Sequence, residues 1–244
     1  MLGNIGSGKT ACMVREMALN NANRTTYSNI ITKGIPNNIV IKPEMIVKKE
    51  LIKTKKDGTP IYKNTVNQEF WKNVIKNNPR GVNIVIDEAH SILNSRRSSS
   101  NWNVCMTNFL SLVRKILMGR SGQAGHLILC SQIERRLDVI SIEMATSIYY
   151  HVCHYQKLCK KCGCNWCENN EVPEPMHNCP VCNSWDIHKY NHVIEVWHFQ
   201  TMAMFQQWQW MGRKTFHKHY RINDIENYFP RYNTLQWDNL LVDV

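Results

Sequence analysis

The chain has 244 residues, 43% hydrophobic and 20% charged, which excludes a disordered chain and leaves room for one α/β domain with a small appendage. No apolar run approaches the roughly 20 residues of a membrane span, and the opening residues lack the charged–apolar–small order of a secretory leader. Thirty Lys and Arg against 19 Asp and Glu give a net charge of +11, a surplus that favours a polyanion such as DNA or RNA, or an anionic membrane face.

The chain opens almost inside a motif, Gly3-Asn4-Ile5-Gly6-Ser7-Gly8-Lys9-Thr10. The apolar residues of 10–22 predict a helix packed on one face. Residues 25–31 are β-branched and aromatic and read as a strand. The stretch 32–80 is polar, with a hairpin turn at Lys56-Asp57-Gly58 and a short helix over 69–76. Residues 82–86 form an apolar run ending in Asp87-Glu88-Ala89-His90, the pattern of a buried parallel strand with acids at its C-terminal end. A polar loop (96–100), a helix (104–118), a break (119–125) and a buried strand (126–130) ending in Ser131-Gln132 follow. Strands are predicted at 147–152 and 191–199, on either side of a cysteine-rich insert, before a tail rich in aromatic residues.

The pattern Gly3-x4-Gly8-Lys9-Thr10 is that of a phosphate loop, with Gly3, Asn4, Ile5, Gly6, Ser7, Gly8, Lys9 and Thr10 as its nucleotide-binding residues. Glycines let successive N–H groups turn toward one anion, and the following helix adds its positive end. Lys9 brings a compact cation to the β- and γ-phosphates, and the Thr10 hydroxyl offers an oxygen to Mg²⁺. The expected partner is the acidic strand end: Asp87 for the Mg²⁺ hydration shell and Glu88 as the general base for water. Gln132, at the tip of a neighbouring strand, is placed to bond the γ-phosphate or the attacking water. A phosphate loop normally follows a complete central strand, whereas only Met1 and Leu2 precede it here; a shortened first strand or an upstream extension is the expectation.

Seven of the ten cysteines fall between Cys153 and Cys182. Cys159-x2-Cys162 and Cys179-x2-Cys182 are knuckles suited to a closed tetrahedral Zn²⁺ site, standing on an extended hairpin. Cys164-x2-Cys167 is a competing pair and His177 lies nearby. DNA contact, subunit contact and stabilisation all remain open as roles for this insert. The tail segment 213–221 interleaves cations with rings and suits nucleic acid or a packed domain edge.

In order, Gly3–Thr10, Thr25–Ile31 with its Ser28-Asn29-Ile30, Asp87-Glu88-Ala89-His90, Ser95-Arg96-Arg97-Ser98 and Ser131-Gln132 resemble the FtsK–HerA branch of the RecA-like ATPases, and within it the Zot-like and viral genome-packaging ATPases. The resemblance covers roughly residues 1–155 and 191–200. It implies a RecA-like α/β fold with a mostly parallel sheet flanked by helices: an ATPase core (1–155), a zinc-ribbon insertion (156–189), and a closing strand with a basic, aromatic tail (190–244). It also implies a homo-oligomeric ring that hydrolyses ATP with Mg²⁺ and moves double-stranded DNA, in the cytoplasm of a host or at a virion, with capsid or other virion proteins as partners. A neighbouring subunit's arginine would complete the site. Arg120 is the first candidate, Arg114 its neighbour, and Arg135 and Arg136 the reserves. The alternatives are a Zot-like ATPase for phage assembly or secretion, and a zinc-bearing nucleic-acid binder with a nucleotide-dependent switch.

Overall fold

A computed structural model describes residues 1–20, 24–91, 101–132, 137, 139–172, 174 and 176–233. The elements in chain order are α1 (Lys9–Asn20), β1 (Thr26–Ser28), β2 (Asn38–Val40), α2 (Pro43–Ile46), β3 (Val47–Thr54), β4 (Pro60–Val66), α3 (Gln68–Asn77), β5 (Asn83–Ile86), α4 (Asn101–Met118), β6 (Leu127–Leu129), α5 (Val139–Glu143), β7 (Ile148–Cys159), β8 (Asn165–Asn169), β9 (Ile187–Phe199), α6 (Met202–Met211) and β10 (Lys218–Ile222). They fall into two compact units.

One unit runs from Glu16 to Met144, joined by Tyr232, which bridges to Thr32. Its sheet is wholly parallel, in the order β2-β1-β5-β6. Every residue of β5 is buried, as a central parallel strand requires. Its core brings Tyr27, Ile84 and Ile86 of the sheet against Trp71 and Val74 of α3 and Met106, Phe109 and Val113 of α4. Trp71 is the hub, with its ring packed on Tyr27, Phe70 and Phe109. The Asn67 side chain accepts from the Phe70 N–H and starts α3. The expected hairpin is β3–β4, and its turn is closed by Asp57 accepting from the Thr59 N–H.

The α4–β5 junction is built on glycines. A Cβ on Gly81 would lie 1.7 Å from the Leu117 carbonyl oxygen, and one on Gly125 would lie 1.9 Å from that of Val82. Only a residue without a side chain lets these backbones approach so closely.

The other unit comprises Met1–Arg15 and Ala145–Arg231. Its sheet is antiparallel, in the order β10-β9-β7-β8. The strands expected at 147–152 and 191–199 are longer: β7 continues to Cys159 and β9 begins at Ile187, so the cysteine knuckles sit at the far end of one long ladder. The competing pair Cys164/Cys167 is drawn into β8 and its approach. The aromatic tail supplies α6, whose Phe205 and Trp208 pack with Tyr150, Trp197 and Phe199. Leu2 makes one parallel bridge beside β7: its N–H donates to the Tyr149 carbonyl at 2.7 Å, and its own carbonyl accepts from the His151 N–H at 2.9 Å.

Candidate functional site

In the antiparallel-sheet unit, the loop after Leu2 turns through three glycines with left-handed φ: Gly3 at 145°, Gly6 at 76° and Gly8 at 79°. Backbone forbids a side chain at Gly3, and at Gly8 a side chain would have to displace Ile194. A Cβ on Gly3 would meet the His151 carbonyl oxygen at 2.5 Å, and one on Gly8 would meet the Ile194 Cδ1 at 2.3 Å. Gly6 faces open space, so conformation alone calls for glycine there.

Lys9 begins α1 and folds back into this loop. Its Nζ donates to the Gly3 carbonyl (2.8 Å), the Asn4 carbonyl (3.0 Å) and Ser7 Oγ (3.3 Å), and the residue is only 6% exposed. A buried ammonium held by neutral oxygens is poised for an anion, because a charged oxygen is the stronger partner. The loop crown stays open, with Ile5 77% exposed. Behind it lies His151, whose Nδ1 is 3.2 Å from the Leu2 carbonyl and must carry the proton there, since a carbonyl only accepts. Burial, with nearby positive charge including Lys9, lowers the His151 pKa to about 3, so the ring stays neutral and adds no charge.

In the parallel-sheet unit, Asp87 and Glu88 leave the C-terminal end of β5. Asn29, just past β1, clamps Asp87 by its backbone: Asn29 Oδ1 accepts from the Asp87 N–H at 2.8 Å, and its Nδ2 donates to the Asp87 carbonyl at 2.9 Å. The Asp87 Oδ1 accepts from the Glu88 N–H at 2.9 Å. Glu88 has a left-handed φ of 49°, uncommon for a side chain that cannot bond its own backbone. Gln132 Nε2 donates to Glu88 Oε1 at 2.9 Å, and His90 Nδ1 lies 3.1 Å from Glu88 Oε2 without the alignment of a hydrogen bond. Asp87, Glu88 and Gln132 therefore gather at one edge of the sheet, and Asn29 and His90 belong with them. The sequence signal for Asn29 is the Ser28-Asn29-Ile30 triplet; His90 has no signal beyond its place after the acids.

Arg120 sits at the other edge. It follows Gly119 at the end of α4, its N–H donates to the Pro79 carbonyl before β5, and its side chain is exposed. Arg120 and Glu88 thus lie at opposite ends of β5. Arg114, on α4, is exposed as well. Arg135, Arg136 and the 95–98 segment lie outside the described residues.

The four knuckle sulfurs of Cys159, Cys162, Cys179 and Cys182 lie within 4.8 Å of one another, with two pairs at 3.5 Å. A Zn²⁺ ion with Zn–S near 2.3 Å needs sulfurs about 3.8 Å apart, so this set fits a tetrahedral ion. Each knuckle closes the same way. The Gly163 N–H donates to the Cys159 carbonyl and the Asn183 N–H to the Cys179 carbonyl, both at 2.9 Å, with left-handed φ at Gly163 and Asn183. Burial opposes ionisation of Cys179, but backbone N–H groups of Cys182 and Val181 outweigh it and lower that thiol to about 6. Cys167 and His177 stand outside this cluster, and Cys164 touches it through Cys179 without being one of the four mutually close sulfurs.

A family model described as Zonular occludens toxin (Zot) matches residues 1–192. The chain belongs to the Zot family. Among solved structures, this Zot-family chain is similar to the N-terminal domain of zonular occludens toxin from Neisseria meningitidis, at 16% identity and a TM-score of 0.48, covering 95% of this chain and 97% of that one. It is also similar to the genome-packaging NTPase B204 of Sulfolobus turreted icosahedral virus 2, in complex with ATPγS, at 15% identity and a TM-score of 0.35, covering 61% and 72% of the two chains. No curated protein matches. Among the described residues, no helix is long and apolar enough to cross a membrane.

Proposed function

We propose that this Zot-family chain is an ATP-hydrolysing motor that translocates double-stranded DNA, of the genome-packaging type. The observation that carries the reading is Lys9, a buried ammonium turned into a loop of left-handed glycines at a helix start. In this reading, residues 3–10 take the triphosphate. Thr10 and Asp87 are the hard oxygen donors that would hold Mg²⁺, whose chemistry is to neutralise charge on the phosphates. Glu88 takes the proton of the attacking water, and Gln132 keeps that carboxylate aimed.

Arg120, at the opposite end of β5 from its own Glu88, would serve a second subunit, and this assignment fits a homo-oligomeric ring. The division into an ATPase core (1–155), a zinc-bearing insertion (156–189) and a closing strand with tail (190–244) belongs to the same reading. So do Zn²⁺ on the four knuckle cysteines, capsid or other virion proteins as partners, and work in the host cytoplasm or at a virion.

The test is steady-state ATP hydrolysis with and without duplex DNA. Wild type should turn over ATP faster with duplex, Lys9→Ala should lose nucleotide binding, and Glu88→Gln should bind ATP but not cleave it. Turnover that survives Glu88→Gln refutes the assignment. Turnover indifferent to duplex but raised by virion proteins or membranes would favour a Zot-like assembly or secretion ATPase instead.

A further inference from the structure

The β3–β4 hairpin belongs to neither of the two larger sheets. It is rooted firmly: Val47 is buried, Val66 packs on the core, and the Asn67 N–H donates to the Ile46 carbonyl at 2.8 Å. Beyond that root every residue from Lys48 to Thr54 is exposed, while the lower part of β4 runs beside α4. The arm carries Lys48, Lys49, Lys53, Lys55, Lys56 and Lys63 against only Glu50 and Asp57.

Its register decides what those charges can meet. Leu51 faces Tyr62 across the ladder, with Lys49 opposite Asn64 on one side and Lys53 opposite Ile61 on the other. The register shifts between Leu51 and Lys53, so Ile52 is the extra residue of a bulge, which twists the tip. Leu51, Ile52 and Tyr62 are 58%, 57% and 53% exposed. At the tip, the Gly58 N–H donates to the Lys55 carbonyl (3.0 Å) and the Lys55 N–H to the Thr59 carbonyl (2.8 Å), so Lys55 and Lys56 project from a defined turn.

We propose that this hairpin is the arm that grips the phosphodiester backbone of duplex DNA. Lys49 on the face of Leu51 and Tyr62, Lys53 on the face of Ile61, and Lys55 and Lys56 at the tip reach phosphates, and Leu51 and Tyr62 lie against the sugar edge. Lys49 and Lys53 are about 13 Å apart at ~3.3 Å per residue, and a duplex carries one charge per about 1.7 Å of axis, so the arm spans several phosphates. A lipid surface is the poorer fit. An interfacial element keeps its charges off its apolar face, whereas here Lys49 shares a face with Leu51 and Tyr62, and Ile61 shares the other face with Lys53. The inference rests on the DNA-motor reading and names the element that touches the DNA.

The experiment is fluorescence anisotropy of a labelled 30-bp duplex against the full chain over a salt series. The variants are K49Q/K53Q/K55Q/K56Q and the charge-preserving K49R/K53R/K55R/K56R, each checked by thermal melting. The glutamine set should lower the slope of log K against log salt by about 2–4, at roughly 0.9 per lost phosphate contact. It should also weaken binding at least tenfold near 0.1 M salt, while the arginine set binds like wild type. Wild type that does not bind duplex at all removes the motor reading together with this inference. Wild type and the glutamine set binding alike removes only the hairpin assignment. So does an arginine set as weak as the glutamine set, and so does hairpin-dependent capture of anionic vesicles with duplex binding unchanged.

Discussion

Asn29→Ala removes the clamp on Asp87, the two hydrogen bonds that Asn29 makes to its backbone N–H and carbonyl. Two hydrogen bonds, at 2.8 and 2.9 Å, disappear. Each is worth about 0.5–1.5 kcal/mol net, so their sum is about 1–3 kcal/mol. Asp87 is only half-buried, and water can replace part of what is lost, which places the expected cost near 1–2 kcal/mol. The clamp also helps hold Glu88 in its left-handed conformation, which costs an L-residue about 1–2 kcal/mol and relaxes once its anchor is gone. Asn29→Ala should therefore lower the urea midpoint and also cut ATP turnover at least tenfold. Adding Glu88→Gln to Asn29→Ala should reduce turnover no further than Glu88→Gln alone. Asn29→Asp should be worse than Ala for stability, because it loses the donor and sets a carboxylate beside Asp87. Equilibrium urea unfolding and single-turnover hydrolysis are the assays. An Asn29→Ala protein that unfolds at the wild-type midpoint and hydrolyses at the wild-type rate would refute the reasoning.

Three further outcomes are expected. Zinc content measured by mass spectrometry should be one ion per chain and be lost in Cys179→Ser, with new protease cuts between 160 and 186 and none in the parallel-sheet unit; retained zinc would contradict the four-sulfur site. Gly81→Ala should cost several kcal/mol, because its Cβ would overlap the Leu117 carbonyl at 1.7 Å, whereas Gly122→Ala, with nothing within 4 Å, should cost only about 1–2 kcal/mol; equal midpoints would exclude the packing argument. The His151 pKa is lowered to about 3 by burial, so the unfolded chain takes up a proton that the folded chain refuses as pH falls below about 6.5. Stability is then full above pH 6.5 and falls by up to about 1.4 kcal/mol per pH unit toward pH 3. His151→Asn should flatten that slope, and an unchanged slope in urea titrations at pH 5 and 7 would rule His151 out as its source.

Much of the site could be read without coordinates because its chemistry is local. A glycine loop running into a lysine at a helix start, an apolar run ending in two acids, and cysteines two residues apart all act over a few consecutive residues, and all keep that form in the structure. Glu88 and Gln132 could be named separately, but the hydrogen bond between them depends on β5 and β6 being neighbours, which pairing alone decides. Asn29 and Asp87 are joined across 58 positions of chain by the same parallel pairing. The strands predicted at 147–152 and 191–199 are shorter than β7 and β9, whose added residues His154, Gln156, Lys157 and His188 break the apolar alternation. They are tolerated because the long ladder pairs their backbones and Lys157 meets Glu168 of β8 at 2.7 Å. Composition and spacing thus determined the chemical inventory of the protein. Which members of that inventory touch one another was decided only by strand order, because hydrogen bonds and close backbone approaches depend on distance in space and not on distance along the chain.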